Sequence, residues 1–243
     1  MSDKLIFSGR NRVRYDYARF GYTRGGGKTW HGGVDVQGLD SDVIRMPYYF
    51  DTNGNAKPIT GKVVTARIVT NKSNLTWQWG YYVCVKLDDN QTPDAVNYLY
   101  FCHCAKLLVA AGTKVISGQD LAVMGNTGNA ALADPPYKHL HFEVRATATS
   151  KGLDPTAYLG FGNAVGTYGT EPDKTPTATV LVSGLRLRTL PSTSGGLTVG
   201  VLERGGIYPV TQTQSDWVYL RTGDLGGGWA CCAGADGTKY LKV

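Results

Sequence analysis

Nowhere does this sequence keep the three-to-four-residue apolar spacing of a long helix. Its apolar residues alternate over short runs instead. Residues 61–69 (GKVVTARIV), 80–87 (GYYVCVKL), 96–104 (VNYLYFCHC) and 139–145 (HLHFEVR) read as strands. The 32 glycines and 15 tyrosines fit short strands joined by tight turns. Turns are expected at Ala111-Gly112-Thr113-Lys114 and at Ser117-Gly118, and a hairpin or inserted loop around Asn53-Gly54 within residues 46–58. Residues 161–177, rich in Gly, Thr and Pro, are expected to form a linker. From residue 178 short strand signals return at close spacing, the pattern of a small barrel. The expected fold is therefore mainly β: an antiparallel sheet domain over 1–160, a linker over 161–177, and a β-barrel over 178–243.

Several function classes recede on composition. No apolar run approaches the roughly 18–20 residues that span a bilayer, so no membrane partner is expected. The first nine residues lack the basic-then-apolar pattern of a leader, which implies export by another route or a leader already removed. Residues 1–160 hold 18 basic and 13 acidic side chains, a net +5, and residues 161–243 hold 7 and 6, a net +1. That excess suits a polyanion, either nucleic acid or an acidic wall polymer. No nucleic-acid motif accompanies it, so nucleic acid is not expected as a partner. Of the five cysteines, Cys102 and Cys104 are two apart and Cys231 and Cys232 adjacent, a spacing unsuited to easy disulfides. Reduced thiols, and folding in a reducing compartment, are expected.

The chain has four histidines, and each sits in a suggestive setting. His31-Gly32-Gly33-Val34-Asp35 spaces an imidazole and a carboxylate four apart, with a glycine pair that permits a tight bend. His139 and His141 flank Leu140 in a strand pattern, so both face one side. In residues 96–104, alternation puts His103 on a face with Leu99 and Phe101, opposite Tyr98, Tyr100, Cys102 and Cys104. Two His and a carboxylate form a catalytic zinc set that leaves a position open for water. Further imidazoles beside that water can serve as base and acid.

The sequence presents, in order, Phe20-Gly21-Tyr22, His31-Gly32-Gly33-Val34-Asp35, Tyr100-Phe101-Cys102-His103, Met124-Gly125-Asn126-Thr127-Gly128-Asn129 and His139-Leu140-His141-Phe142-Glu143. Over about residues 14–160 this series resembles the lysostaphin-type zinc endopeptidases of peptidoglycan. The resemblance implies one zinc per protein molecule held by His31, Asp35 and His141, with His103 and His139 as the unligated catalytic pair and Tyr22 as a further oxyanion donor. It implies hydrolysis of peptide bonds in stem peptides or cross-bridges by metal-activated water. The loop at 46–58, the Trp77–Trp79 segment and the cysteines around His103 depart from the family pattern.

The C-terminal part is similar to bacterial Src-homology-3-like wall-binding domains, through Leu185-Arg186-Leu187-Arg188, Trp217-Val218-Tyr219-Leu220 and Gly228-Trp229-Ala230. Trp217 and Trp229 then read either as contacts to the wall or as packing inside the barrel. The missing leader and unpaired cysteines resemble a phage endolysin, with a secreted hydrolase as the other setting. A monomer acting on peptidoglycan at the cell wall is expected. The competing reading is an inactive wall-binding or regulatory protein with a degenerate peptidase fold.

Overall fold

The long strands of the first domain carry apolar side chains on both faces, and the fold covers both. In Tyr81–Leu87, Tyr98–Leu107 and Leu140–Arg145, the residues Val83, Val85, Leu99, Phe101, Phe142 and Val144 enter the main core. Tyr82, Cys84, Tyr100 and Cys102 face the other way and form a second cluster with Val69, against which Trp77 and Trp79 pack. A strand buried on both faces reads as a near-continuous apolar run, as 96–104 does.

The computed structural model describes residues 4–171, 176–222 and 226–243. Two compact units divide the protein, Met1–Pro172 and Asp173–Val243. Among the described residues, the first holds an eleven-stranded antiparallel sheet. Its main path runs Lys114–Ile116, Thr60–Arg67, Tyr81–Leu87, Tyr98–Leu107, Leu140–Arg145, Val34–Gly38, Asn11–Val13 and Gly166–Tyr168. The expected hairpin is the pairing of Tyr49–Phe50 with Ala56–Lys57, its turn tied by Asp51 Oδ1, which accepts from the Asn53 and Asn55 N–H groups. Among the described residues, helix is confined to short pieces such as Thr156–Leu159.

The expected linker requires a correction. Gly166–Tyr168 pairs with Asn11–Val13, Phe161 stacks on Tyr168 at 4.3 Å, and Asn163 exchanges two hydrogen bonds with the Phe20 backbone. Residues 161–168 therefore belong to the first unit. Three residues on a sheet edge are too few to show alternation, which is why composition alone suggested a linker.

Among the described residues, the second unit is a seven-stranded antiparallel sheet with its own core, including Val180, Leu187, Leu202, Val218, Leu220 and Ala230. It is consistent with a Src-homology-3-like domain. Val218 and Leu220 point inward, so Trp217 lies on the opposite face, as Trp229 does beside inward Ala230. Neither indole packs the barrel interior; Trp229 instead stands edge-on to Tyr219 at 5.5 Å.

All five cysteines are free, and Cys84, Cys102 and Cys104 are buried. Burial pushes the Cys84 thiol up to about 11 and the Cys104 thiol up to about 12, and raises Cys102 well above the ordinary range. Ellman's reagent at pH 8 should therefore titrate no more than two thiols quickly in the native protein, Cys231 and Cys232, and all five after denaturation. Fast reaction of a third native thiol would contradict this packing.

Candidate metal centre

His31 ends the strand Thr29–His31, which forms a hairpin with Gly21–Arg24. The backbone bends at Gly32-Gly33 and enters Val34–Gly38, which carries Asp35. That strand pairs with Leu140–Arg145, and Asp35 falls directly opposite His141. The glycines serve this approach more than the bend. A Cβ on Gly33 would lie 2.3 Å from the Phe142 carbonyl oxygen, so any side chain there would push the two strands apart.

One ligand atom from each of His31, Asp35 and His141 lies within 4.8 Å of the others. His31 Nε2 is 3.0 Å from His141 Nδ1, which is 3.0 Å from Asp35 Oδ1. The outward nitrogens are anchored. His31 Nδ1–H donates to the Arg19 carbonyl at 2.8 Å, which leaves Nε2 facing the centre. His141 Nε2 faces Glu143 Oε2 at 3.4 Å, and Arg145 grips Glu143 through bonds of 2.9 and 3.1 Å. Such outer contacts set which nitrogen points inward.

Asp35 and Glu143 balance the positive charge of His141 and Arg24. Burial opposes charge on His141, but hydrogen bonds to Asp35 and Glu143 outweigh it and raise the imidazole to about 9. Burial likewise opposes charge on Asp35, yet His141 and His31 hold it well below the usual carboxylate range. Arg24 Nη2 lies 2.9 Å from His31 Nε2 and 2.8 Å from Asp35 Oδ2. Its guanidinium thus sits on the lone pairs that a metal cation would use.

His103 corrects the expected alternation. Its φ of +66° is left-handed, and the register of its strand shifts between Phe101 and Cys104 on one side and between Cys104 and Lys106 on the other. The bulge turns His103 into the groove and sends Cys104 into the main core with Leu99 and Phe101. His103 Nδ1–H donates to the Thr127 carbonyl at 2.9 Å. Thr127 Oγ1 in turn accepts from Tyr81 N–H and donates to the Cys104 carbonyl, each at 2.9 Å. Gly125 lets this loop close, since a Cβ there would lie 2.8 Å from the His103 oxygen. His139 bridges to Gly125, stacks on Tyr137 at 4.6 Å and places Nε2 3.9 Å from Asp35 Oδ1. Burial lowers His103 to about 3 and also lowers His139, so both are neutral at pH 7.

All four histidines and Asp35 line one groove of about 630 Å³. Arg24, Tyr17, Tyr137, Trp30 and Trp79 line it too, and none of these five reads as a site residue from sequence. Glu143 is legible only as part of its motif. Tyr22 is placed differently from expectation: it is 63% exposed, packs edge-on against Trp30 at 5.1 Å, and is absent from the groove lining. The groove phenols are Tyr17 and Tyr137.

The left-handed backbone at His103 and the position of Arg24 each have a measurable consequence. A left-handed residue with a Cβ costs about 1–2 kcal/mol that glycine avoids. His103→Gly should therefore be more stable than His103→Ala by about 1 kcal/mol in urea unfolding, the reverse of their usual order in a strand. An Ala variant at least as stable as the Gly variant would show that the strain is absent. Arg24→Gln should bind a divalent cation more tightly, on the order of tenfold after allowing for solvent screening of this partly exposed side chain. Calorimetric titration with Zn²⁺ would measure it, and unchanged affinity would rule out competition by the guanidinium.

Residues 57–155 match the family described as Peptidase family M23. That stretch contains His103, His139 and His141 and begins after His31 and Asp35. Among solved structures, the protein is similar to the catalytic domain of the antimicrobial peptidase lysostaphin from Staphylococcus simulans, at 23% identity and a TM-score of 0.41, over 59% of this sequence and 89% of that one. Full lysostaphin aligns at 22% identity and a TM-score of 0.41, over 100% of this sequence and 95% of that one. The catalytic domain of the prophage-encoded M23 protein EnpA from Enterococcus faecalis aligns at 20% identity and a TM-score of 0.42, over 60% of this sequence and 91% of that one. The matched residues 57–155 lie within the first unit.

Proposed function

We propose that this protein is a zinc-dependent endopeptidase that cleaves peptide bonds in peptidoglycan stem peptides or cross-bridges, and that its second unit docks it onto the wall. The observation that carries the chemistry is the convergence of His31, Asp35 and His141 in a groove that also holds two neutral imidazoles. Two imidazole nitrogens, each steered by an outer hydrogen-bond partner, and one buried carboxylate are a donor set suited to zinc. Bound there, zinc would polarise the scissile carbonyl and lower the pKa of a water to about 7.

The remaining work falls to the protein's own side chains. His103, fixed through Nδ1–H on Thr127, keeps the lone pair of Nε2 free to take a proton. His139 turns Nε2 toward the same centre. The pair accepts the proton that the attacking water loses and returns one to the leaving amine, which balances the hydrolysis. Trp30, Trp79 and Arg24 supply groove walls for an extended peptide. The peptidoglycan reading rests on the ordered motifs of residues 14–160 and on the M23 match. In this reading the protein is a monomer that acts at the bacterial cell wall, released in the manner of a phage endolysin or exported.

His141→Ala and Asp35→Ala should lose zinc, because each removes a ligand. His103→Ala and His139→Ala should keep zinc and lose on the order of 10²–10⁴-fold in rate. Metal analysis beside digestion of defined peptidoglycans, with mass spectrometry of the fragments, checks both halves. Loss of zinc by His139→Ala with retention by His141→Ala would reverse the assignment. A zinc-loaded wild type that releases no fragment from any wall type would end the catalytic reading. Residues 1–171 alone should still cut a soluble peptide while sedimenting less with whole walls.

A further inference from the structure

On the second unit, a cleft of about 370 Å³ opens beside the strand Leu185–Arg188. Leu185 and Leu187 face the core, and alternation turns Arg186 and Arg188 outward into the cleft lining. Trp217 and Tyr240 form aromatic walls, and Ser183 and Thr193 add hydroxyls. Neither arginine makes an ion pair or a side-chain hydrogen bond among the described residues, and no carboxylate lines the cleft. Its polar side chains are donors: two guanidinium forks, an indole N–H, a phenol, two hydroxyls and the Cys231 thiol. None is an obligate acceptor.

We propose that this cleft binds the free carboxylate of a short peptide. The inference rests on the wall-docking reading of the second unit and names what that unit would grip. Two planar forks in a lining without a carboxylate match the paired lone pairs of a carboxylate ligand. The volume fits a small ligand or the end of a peptide. Aromatic walls give apolar contact to the neighbouring backbone and small side chains. The second unit, residues 173–243, holds 7 basic and 5 acidic side chains, and a net charge of only +2 disfavours an extended polyanion, which would need a continuous basic track. Two sources present this chemistry, the terminal carboxylate of a peptide backbone and an acidic side chain.

The test is a titration of the full-length protein, followed through the Trp217 indole resonance and by calorimetry. The probes are N-acetyl-alanyl-alanine, its C-terminal amide, and N-acetyl-alanyl-glutamyl amide. The acid should bind at least tenfold more tightly than the alanyl amide, and the glutamyl amide reveals whether a side-chain carboxylate is accepted. The double variant R186Q/R188Q should weaken binding of the acid at least tenfold at unchanged Tm, since both side chains lie outside the core. R186K/R188K, with charge but no fork, should fall between. Equal binding of the acid and its alanyl amide, or wild-type binding by the Gln variant, would overturn the proposal. Sedimentation with whole walls separates the two readings. Soluble-peptide binding without sedimentation sinks wall docking alone, whereas sedimentation without soluble-peptide binding sinks the carboxylate site alone.

Discussion

The candidate centre depends on one cross-strand pair, Asp35 opposite His141, where Val34–Gly38 lies antiparallel to Leu140–Arg145. Directly opposed residues in such a pair stand about 5 Å apart, close enough for carboxylate and imidazole to meet. Gly33 permits the approach, and the hairpin that ends at His31 brings a second imidazole to the same point. Lone pairs gathered this tightly away from water repel one another unless positive charge sits among them. The raised affinity of His141 for a proton and the position of Arg24 are both responses to that electrostatic demand.

The rest of the sheet stiffens this arrangement from two directions. The Arg145 guanidinium lies 5.2 Å from the Trp79 ring centre and 4.7 Å from that of Tyr100, while it grips Glu143. The aromatic cluster is thereby linked through Arg145 and Glu143 to the outward nitrogen of His141. On the opposite flank, the strained backbone of His103 is held by bulges on both sides and by the Thr127 loop. Strain of this kind persists only where the surroundings over-determine it, and here it aims a neutral imidazole into the groove.

The two units have separate cores, and each surface offers a different chemistry. The first gathers the acceptors of Asp35 and the histidines in one groove. The second turns donors outward into a cleft, because its inward alternation is satisfied by Leu185, Leu187, Val218 and Leu220. The same two-residue period that builds the small core therefore exposes Arg186, Arg188 and Trp217.

Much of this was legible in the residues themselves. Alternating runs define the long strands, since a half-buried or fully buried strand must place apolar side chains at a fixed period. The ordered motifs single out Asp35 and the four histidines, which the structure brings into one groove. Other features follow from contacts distant in sequence. The edge strand Gly166–Tyr168 gains its conformation from Asn11–Val13 and carries no pattern of its own. The face of His103 reverses at a bulge that a strict period of two cannot anticipate. Arg24 reaches the centre, and Tyr22 stays outside it, only because the hairpin packs in one particular way. The strands, their buried faces and the chemical types at the centre are written in the residues, because these depend on local period and side-chain identity. Which charges and lone pairs meet is set in the folded sheet, because that depends on register and on backbone irregularities summed over all its strands.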